Sequence, residues 1–386
     1  MKSPEGGAQR RRALETVQIG MTASPRHLSG TDRYYLELLK HLPACDIDVR
    51  GMVIGEPEKL DGGMPGVVSF SAEGDTRLAR WQRSRRVFRK LVAGSDLVVS
   101  HGQAHAFPVL NLIGARPLVV QFHGPWALEA KAEGAGRLTV AIRMLQERAV
   151  YRHAVRFIVL SQAFRNVLVE SYRIDAEIID VVPGGVDLAR FKSAVSRHDA
   201  RERLGLPQDR PIVVSTRRLE PSKGIADLIV AMAAVRLVQR DAMCVITGTG
   251  SLQPMLERQV DEAGLRDHVR FLGHVADDVL GLVYRAATLS IVPSVALEGF
   301  GLSVIESLAS GTPAIVTNVG GLPEVVRELD PSAIVSPNDA PGLARRILDG
   351  LAGEISTESA CLTYASRFAW PAIASRVAAI YREAAA

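Results

Sequence analysis

The feature that most constrains this chain is an alternation of short apolar runs with helical patterns, which starts afresh after residue 211. Each run is short enough for a buried strand, and apolar residues at helical spacing fill most of the intervals. Such alternation predicts parallel sheets covered by helices, with ligands bound at the carboxyl ends of the strands. The predicted strands are residues 17–21, 49–54, 97–100, 118–122, 157–160 and 178–182 in the first series, and 212–215, 243–247, 269–272, 289–292 and a run from 314 in the second.

The length of the chain indicates two domains, because 386 residues are too many for one ordinary core. The first series ends at Pro183-Gly184-Gly185-Val186-Asp187, and the polar stretch 188–209 is interpreted as a linker and the entry to the second domain. We therefore expect an α/β fold with a Rossmann-like domain over residues 1–190 and a second one over residues 191–366.

The composition, with 47% hydrophobic and 23% charged residues, is that of a globular protein. A net charge of +4 is weak evidence for nucleic acid, so we expect no nucleic-acid partner. No apolar segment approaches the length of a membrane span, and no apolar run follows Arg10 to Arg12, which argues against a cleaved signal peptide. Three widely spaced cysteines, Cys45, Cys244 and Cys361, predict reduced thiols and a cytoplasmic location.

A glycine loop ahead of a helix provides the first candidate site, in the segment Glu298-Gly299-Phe300-Gly301-Leu302-Ser303-Val304-Ile305-Glu306. The amides at a helix start point outward, the helix dipole favours an anion, and glycine lets a ligand approach the main chain. Glu298 and Glu306 flank this anion site and suit the uncharged, hydroxyl-rich parts of a ligand. A phosphate with sugars on both sides is a nucleotide sugar. The simpler alternative is a βα turn with two surface glutamates.

Two cations and a histidine also follow predicted strands. Arg218 and Lys223 leave the strand 212–215 before a helix start, so they can converge on one anion. His123 comes directly after the strand 118–122, and Gly30 lies between the strand 17–21 and a helical stretch. Solvated surface cations and a structural histidine are the alternatives.

These motifs resemble those of the retaining glycosyltransferases of family 4. The shared features are two glutamates separated by seven residues, an Arg-Leu pair at 218, a Lys-Gly pair at 223 and a His-Gly pair at 123. Family members usually carry glycine where this chain has Arg217. The resemblance implies a GT-B fold, in which two Rossmann-like domains face each other across a cleft and a C-terminal helix, here 367–386, returns to the first domain.

The resemblance also implies a reaction and a set of site residues. A hexosyl group would move from a nucleoside diphosphate, with UDP favoured, to an acceptor hydroxyl with retention of configuration. Arg218, Lys223 and the helix amides would stabilise the leaving diphosphate, an electrostatic task worth several kcal/mol, while Glu306 would hold the ribose. The expected catalytic residues are His123, Glu298, Arg218 and Lys223, and the expected donor-binding residues are Gly30, Gly248, Gly273, His274, Val275, Gly299, Phe300, Gly301, Leu302, Ser303 and Glu306.

No cofactor or metal is expected beyond the nucleotide sugar, since Asp46-Ile47-Asp48 lies far along the chain from the donor motifs. A nucleotide-sugar-binding protein without transferase activity is one alternative. A glycoside hydrolase that uses the glutamate pair is another, although it leaves Arg218 and Lys223 unexplained. A dinucleotide oxidoreductase would need a GxGxxG fingerprint, and the chain has none. The donor sugar stays open, as does the acceptor: a glycan or glycolipid precursor, or a small secondary metabolite.

Residues 77–90 form a basic stretch with interleaved apolar residues. As a helix it has a basic side and an apolar side, and we favour a surface helix that docks its apolar stripe on the sheet. Peripheral contact with an anionic membrane, at the inner face, is the alternative. The cations are Arg77, Arg80, Arg83, Arg85, Arg86, Arg89 and Lys90, and the apolar residues are Leu78, Trp81 and Phe88.

Overall fold

A computed structural model describes residues 12–24, 29–60, 63–72, 74–192 and 195–386. It confirms the predicted α/β fold, with two parallel sheets of seven and six strands. The strands of the first sheet are β1 (Leu14–Ala23), β2 (Ile47–Gly55), β3 (Val67–Ser71), β4 (Leu97–Ser100), β5 (Leu118–Phe122), β6 (Ala154–Val159) and β7 (Ile179–Val181). Those of the second are β8 (Ile212–Thr216), β9 (Met243–Thr247), β10 (Val269–Gly273), β11 (Leu289–Val292), β12 (Ala314–Thr317) and β13 (Ile334–Val335).

The strand order of each sheet reverses beside its first strand. The first sheet runs β3-β2-β1-β4-β5-β6-β7 and the second β10-β9-β8-β11-β12-β13. In the second sheet β11 pairs directly with β8, with Ser290 opposite Val214. Ligands of open parallel sheets bind where the strand order reverses, outside the carboxyl ends of the strands. The loops that follow β8 and β11 therefore lie where this sheet is best placed to hold a ligand.

Helices separate most of the strands. In the second sheet's core, Leu228 and Met232 of the helix after β8 pack with Ile347 of a later helix against the buried strand residues. The helices are α1 (Gly30–His41), α2 (Arg77–Leu91), α3 (Gln103–Ala106), α4 (Trp126–Ala132), α5 (Arg137–Tyr151), α6 (Gln162–Tyr172), α7 (Leu188–Phe191), α8 (Arg197–Arg203), α9 (Ile225–Val238), α10 (Gln253–Glu262), α11 (Asp277–Ala286), α12 (Leu302–Ala309), α13 (Leu322–Val326), α14 (Ala340–Leu351), α15 (Glu358–Ala365) and α16 (Trp370–Ala385).

The described residues divide into two compact units. The first comprises the residues up to Phe122 together with Ile142–Ile158 and Ala374–Ala386, and the second comprises His123–Ala141 and Val159–Ile373. Within the first unit, the amide of Gln121 donates to the hydroxyl of Tyr381 at 3.1 Å. The domain boundaries 1–190, 191–366 and 367–386 stay a prediction.

Two strands of the structure are not predicted from the sequence. The strand β3 has only a half-apolar pattern, in which Val68 and Ser69 are exposed, as is usual at a sheet edge. The strand β13 has two residues, too few for a periodic pattern. The segment interpreted as a polar linker contains two short helices, α7 and α8, which Asp187 and Ser196 cap with their side chains.

Candidate active site

The candidate site lies in the second unit, in the loops after β8 and β11. The loop after β11 holds Leu297 in the left-handed region at a φ of 48°, which is uncommon for a branched residue and typical of functional loops. Gly301 has a φ of 102° and forms the N-cap of α12, a conformation that glycine adopts without steric cost. The first hydrogen bonds of α12 are donated by Val304 and Ile305 to the carbonyl of Gly301. The amides of Leu302 and Ser303 therefore precede the hydrogen-bonded turn and can bind an anion.

The backbone carbonyl of Glu298 is held in place by a later loop. The amide of Gly321 donates to the carbonyl of Glu298 at 2.9 Å. A Cβ at Gly320 would collide with the same carbonyl, so the two loops pack backbone against backbone. Because the carbonyl of Glu298 is held by this loop, its side chain has a defined starting point.

The carboxylate of Glu298 accepts three contacts on one oxygen, Oε2. The guanidinium of Arg217 forms an ion pair with it, and the ammonium of Lys223 donates to it at 3.1 Å. The hydroxyl of Ser294 also donates to Oε2, at 3.0 Å. Arg217 and Lys223 come from the loop after β8, whereas Ser294 and Glu298 come from the loop after β11. The pairing of these two strands brings the four residues together.

Burial and the neighbouring positive charges shift the pKa of the Glu298 carboxyl in opposite directions. Burial by itself would raise its pKa, but the charges of Arg217 and Lys223 and their hydrogen bonds outweigh burial and hold the pKa at about 2. Burial lowers the pKa of Lys223, and the charges of Arg217 and Arg218 lower it further. The charge of Glu298 and its hydrogen bond with Lys223 act to raise the same pKa. Glu298 is therefore ionised at neutral pH within a cluster that carries more positive than negative charge.

Arg218 differs from its neighbour Arg217 in its surroundings. The Arg217 side chain is 7% exposed, while Arg218 is exposed and makes no hydrogen bond or ion pair with the described residues. Arg218 is close enough to Lys223 for its charge to lower the pKa of the Lys223 ammonium. Gly224, at a φ of 68°, follows Lys223 and allows α9 to start against the carbonyl of Pro293, where a Cβ would collide. The loop thus leaves one exposed cation and one paired ammonium near a helix start, an arrangement suited to a diphosphate.

Glu306 lies on α12 and has a different partner. The hydroxyl of Tyr284, a buried residue of α11, donates to Oε2 of Glu306 at 3.1 Å. This hydrogen bond fixes the orientation of the carboxylate, whose side chain is half-buried. Glu298 and Glu306 therefore belong to separate hydrogen-bond groups within the site.

His123 and the nearby Glu129 of α4 belong to the same compact unit as Glu298. Burial lowers the pKa of His123 to about 3, so its imidazole is neutral at physiological pH. Burial raises the pKa of Glu129, and Lys223 and Arg218 act in the opposite direction. Glu129 is thus electrostatically linked to the cations around Glu298. Its carboxylate lies against Gly124, where a Cβ would collide with it.

The remaining predicted residues lie at strand ends or in the loop of Glu298. Gly248 follows β9, and its amide donates to the carbonyl of Gly273 at 2.7 Å. His274 is exposed and Val275 half-buried just beyond β10. Phe300 is buried, and Ser303 accepts a hydrogen bond from Arg217 at 3.2 Å. Gly30 is the first residue of α1 in the other unit, and residues 25–28 of its loop lie outside the described residues.

Sequence reasoning missed four residues of this site: Arg217, Ser294, Tyr284 and Glu129. The only sequence signal was at Arg217, where an arginine stands in place of the usual glycine. A buried ion pair could have been inferred there from the cation next to a strand end. The other three belong to elements whose relation to Glu298 and Glu306 depends on the tertiary structure.

Metal ligands are sparse in the parts of the chain that the structure describes. Among the described residues, the one group with suitable geometry, His198, Asp199 and Glu202, is exposed on α8 and lies outside the loops of the candidate site. Asp46 and Asp48 are exposed at the start of β2. The three cysteines are free thiols, two of them buried.

The basic stretch forms the predicted helix, α2, with Phe88 buried. Two of its apolar residues, Leu78 and Trp81, are 66% and 43% exposed, so only part of the apolar stripe packs on the sheet. Arg85 lies over the Trp81 ring at 4.8 Å. Among the described residues, no helix is long and apolar enough to cross a membrane. Arg10 and Arg11 lie outside the described residues.

Comparison with known proteins covers both halves of the chain. Residues 196–367 match the family model described as Glycosyl transferases group 1, and residues 28–190 match the one described as Glycosyltransferase Family 4. A D-inositol 3-phosphate glycosyltransferase from Streptomyces bingchenggensis is 35% identical over 97% of this chain and 90% of its own length. A protein of the same name from Mycolicibacterium smegmatis is 36% identical over 70% of this chain and 62% of its own length.

Solved structures share the fold over nearly the whole chain. HepE from Anabaena, in complex with UDP and glucose, has a TM-score of 0.79 at 22% identity and covers 96% of this chain and 100% of its own. Sucrose-phosphate synthase from Thermosynechococcus elongatus has a TM-score of 0.77 at 24% identity and covers 96% of this chain and 98% of its own.

Proposed function

Because this chain belongs to the family 4 glycosyltransferases and has their GT-B fold, we propose that it transfers a hexosyl group from a UDP-sugar to an acceptor hydroxyl with retention of anomeric configuration. The observation that carries the proposal is the cluster at the ends of β8 and β11. Lys223 pairs with an ionised, largely buried Glu298, Arg218 lies close enough to Lys223 to lower its pKa, and the amide end of α12 follows in the same loop as Glu298. Both the diphosphate and the sugar of such a donor find suitable partners there.

In the proposed reaction, the bond between the anomeric carbon and the diphosphate breaks while the acceptor oxygen bonds to the same face. The proton of the acceptor hydroxyl passes to the leaving phosphate oxygen, so no residue of the chain needs to act as a nucleophile. Arg218, Lys223 and the α12 amides stabilise the charge that develops on the diphosphate, an effect of several kcal/mol in such sites. The ionised carboxylate of Glu298 favours positive charge at the anomeric carbon.

Two further residues complete the proposed donor site. The neutral imidazole of His123 can hydrogen-bond a sugar hydroxyl without adding charge. Glu306, oriented by Tyr284, accepts from the ribose hydroxyls. The loops that contain Gly248 and Gly273 would face the rest of the nucleotide, since they follow strands of the same sheet. Gly30, in the other unit, is retained as a candidate contact of the diphosphate.

The names of the relatives favour one acceptor class. Two curated relatives are described as D-inositol 3-phosphate glycosyltransferases, and one of them is similar over almost the whole chain. We therefore propose a cyclitol or its phosphate as the first acceptor to test, with glycan and glycolipid precursors as the next. We place the reaction in the cytoplasm and expect it to need no metal.

The proposal is tested by following UDP release with a panel of nucleotide sugars, first alone and then with each acceptor class. One UDP-sugar should be hydrolysed slowly alone and consumed faster with the right acceptor. Release from none of the donors, together with no calorimetric UDP binding, would contradict the proposal.

The phosphate site has its own test in Lys223→Ala and Arg218→Ala. Each change removes a charge-assisted contact of about 1.5–3 kcal/mol, so UDP affinity should fall by roughly tenfold or more. Arg258→Ala is the matched control, because Arg258 is an exposed arginine on α10 with no hydrogen bond or ion pair to the described residues. Unchanged UDP affinity in both test variants would show that the phosphate binds elsewhere.

A further inference from the structure

We propose that Arg217 is a positioning residue that anchors the Glu298 carboxylate through Oε2 and thereby presents Oε1 to the transferred sugar. The inference rests on the proposed function and adds a residue to it, at a position where the resembled family usually has glycine. It assigns different tasks to two adjacent arginines: Arg218 to the diphosphate, and Arg217 to Glu298.

The guanidinium of Arg217 connects three parts of the site. One nitrogen, Nη2, donates to the hydroxyl of Ser294 at 2.7 Å and also pairs with Glu298. The other, Nη1, donates to the hydroxyl of Ser303 at 3.2 Å, in the first turn of α12. A planar guanidinium with fixed donor directions can hold all three partners at once. The end of β11, the Glu298 loop and the start of α12 are therefore joined by one side chain.

The two oxygens of Glu298 are used unequally. Arg217, Lys223 and Ser294 all contact Oε2, whereas Oε1 accepts no hydrogen bond from the described residues. The Glu298 side chain is 13% exposed, and Oε1 is not among the buried side-chain atoms of the described residues that lack a partner, so this oxygen is accessible. This ionised oxygen can therefore accept a hydrogen bond from a ligand, and a sugar hydroxyl is a suitable donor.

The two cations on Oε2 differ in how firmly they can remain there. Lys223 carries a point charge on a flexible stem, and a diphosphate placed at the start of α12 competes for that charge. Arg217 is 7% exposed and has two serine partners besides Glu298, so it stays in place when an anion arrives. Glu298 therefore keeps its orientation at the moment when the donor engages Lys223.

The backbone at position 217 is compatible with this assignment. Arg217 is absent from the described residues with positive φ, so the loop needs no glycine there. The usual glycine of the family would leave Ser294 and Ser303 without the shared donor. This chain thus has a means of orienting Glu298 that a glycine cannot provide.

The test uses two variants of Arg217. Arg217→Met keeps a long side chain and removes the charge, and Arg217→Lys keeps a positive charge but lacks the fixed donor directions of the guanidinium. We expect the Met variant to lose about 100-fold in kcat at saturating donor, the scale of a misplaced catalytic group. UDP affinity should stay within about threefold, because the phosphate ligands are untouched. The Lys variant should recover part of the kcat loss, and Arg258→Met, the exposed control, should resemble the parent.

A double variant shows whether Arg217 acts through Glu298. If it does, Arg217→Met combined with Glu298→Gln should be no slower than Glu298→Gln alone, because the orientation of an absent carboxylate has no value. A double variant whose loss in kcat equals the product of the two single losses would overturn the inference. A kcat of Arg217→Met equal to that of the parent would also overturn it. A tenfold or greater loss of UDP affinity with unchanged kcat would make Arg217 a phosphate ligand instead.

These outcomes are distinct from failure of the proposed function. A parent enzyme that neither binds UDP nor releases it from any donor contradicts the transferase proposal itself. A parent that does both, with an Arg217→Met variant equal to it, contradicts only the role of Arg217. Thermal unfolding of each variant is recorded first, and if the Met variant does not fold, Arg217→Lys in the same double-variant comparison decides the question.

Discussion

Replacing Glu298 by glutamine should destabilise the second compact unit, because it leaves two buried cations without their counter-ion. The amide keeps the shape of the side chain but cannot neutralise Arg217 and Lys223, whose side chains are only 7% and 12% exposed. Removing one partner of a buried ion pair costs about 3–5 kcal/mol. The lowered pKa gives a similar figure, since a fall from 4.5 to about 2 corresponds to about 3 kcal/mol.

The loss of stability should depend on pH in a defined direction. The pKa of Glu298 is lower in the folded state than its ordinary value of 4.5. Its stabilising contribution is therefore complete above the unfolded pKa and is lost as the pH falls towards about 2. The difference in stability between parent and Glu298→Gln should be largest at neutral pH and should shrink below about pH 4.5.

Thermal unfolding monitored by circular dichroism provides the measurement. For a unit of roughly 150–250 residues, a loss of 3 kcal/mol lowers the apparent Tm by about 6–12 °C. UDP should restore part of this loss, since its phosphates neutralise the freed ammonium of Lys223 and ligand binding stabilises the folded state. Glu262→Gln is the control, because Glu262 is an exposed carboxylate with no hydrogen bond or ion pair to the described residues. A Glu298→Gln variant with the Tm of the parent at neutral pH would refute the reasoning.

Three further predictions concern binding. Glu306→Ala should weaken the binding of UDP, whereas Glu298→Ala should bind UDP no more weakly than the parent and should abolish sugar transfer. Calorimetry of UDP binding and turnover at saturating donor check both expectations. An equal loss of UDP affinity in the two variants would contradict the assigned roles. Turnover should persist in EDTA, because cations and helix amides meet the phosphate charge, and activity that returns only with Mg²⁺ or Mn²⁺ would show a metal requirement. Cations of α2 near an anionic membrane should contribute roughly 1 kcal/mol each. Arg80, which is half-buried, and the exposed Arg83 and Arg86 changed together to glutamate should therefore reduce sedimentation with anionic vesicles; sedimentation equal to the parent's would show that α2 is only solvated.

The elements of the fold could be predicted from the sequence because their signals are local. The strands β4, β5, β9 and β11 have the bounds that the apolar runs predict, and α2 differs by one residue from its predicted range. The periodicity of apolar residues and the glycines and prolines that end an element are signals over a few residues. They can therefore be recognised without knowing which elements become neighbours in the fold. The same holds for the glycine loop before α12, where the N-cap at Gly301 was predictable from the start of the helical pattern.

The partners of the site residues were decided by the tertiary structure. The sequence determined that Glu298 follows one strand and that Arg217, Arg218 and Lys223 follow another. Only the pairing of β8 with β11 decided that Arg217, 81 residues away from Glu298, is its buried partner while Arg218 stays exposed. Likewise, Tyr284 of α11 orients Glu306 of α12 through a hydrogen bond, and Glu129 of α4 lies close enough to Lys223 for that cation to act on its pKa. Charge pairing and burial depend on which strands become neighbours, and that choice is made by the packing of the whole sheet rather than by any one segment.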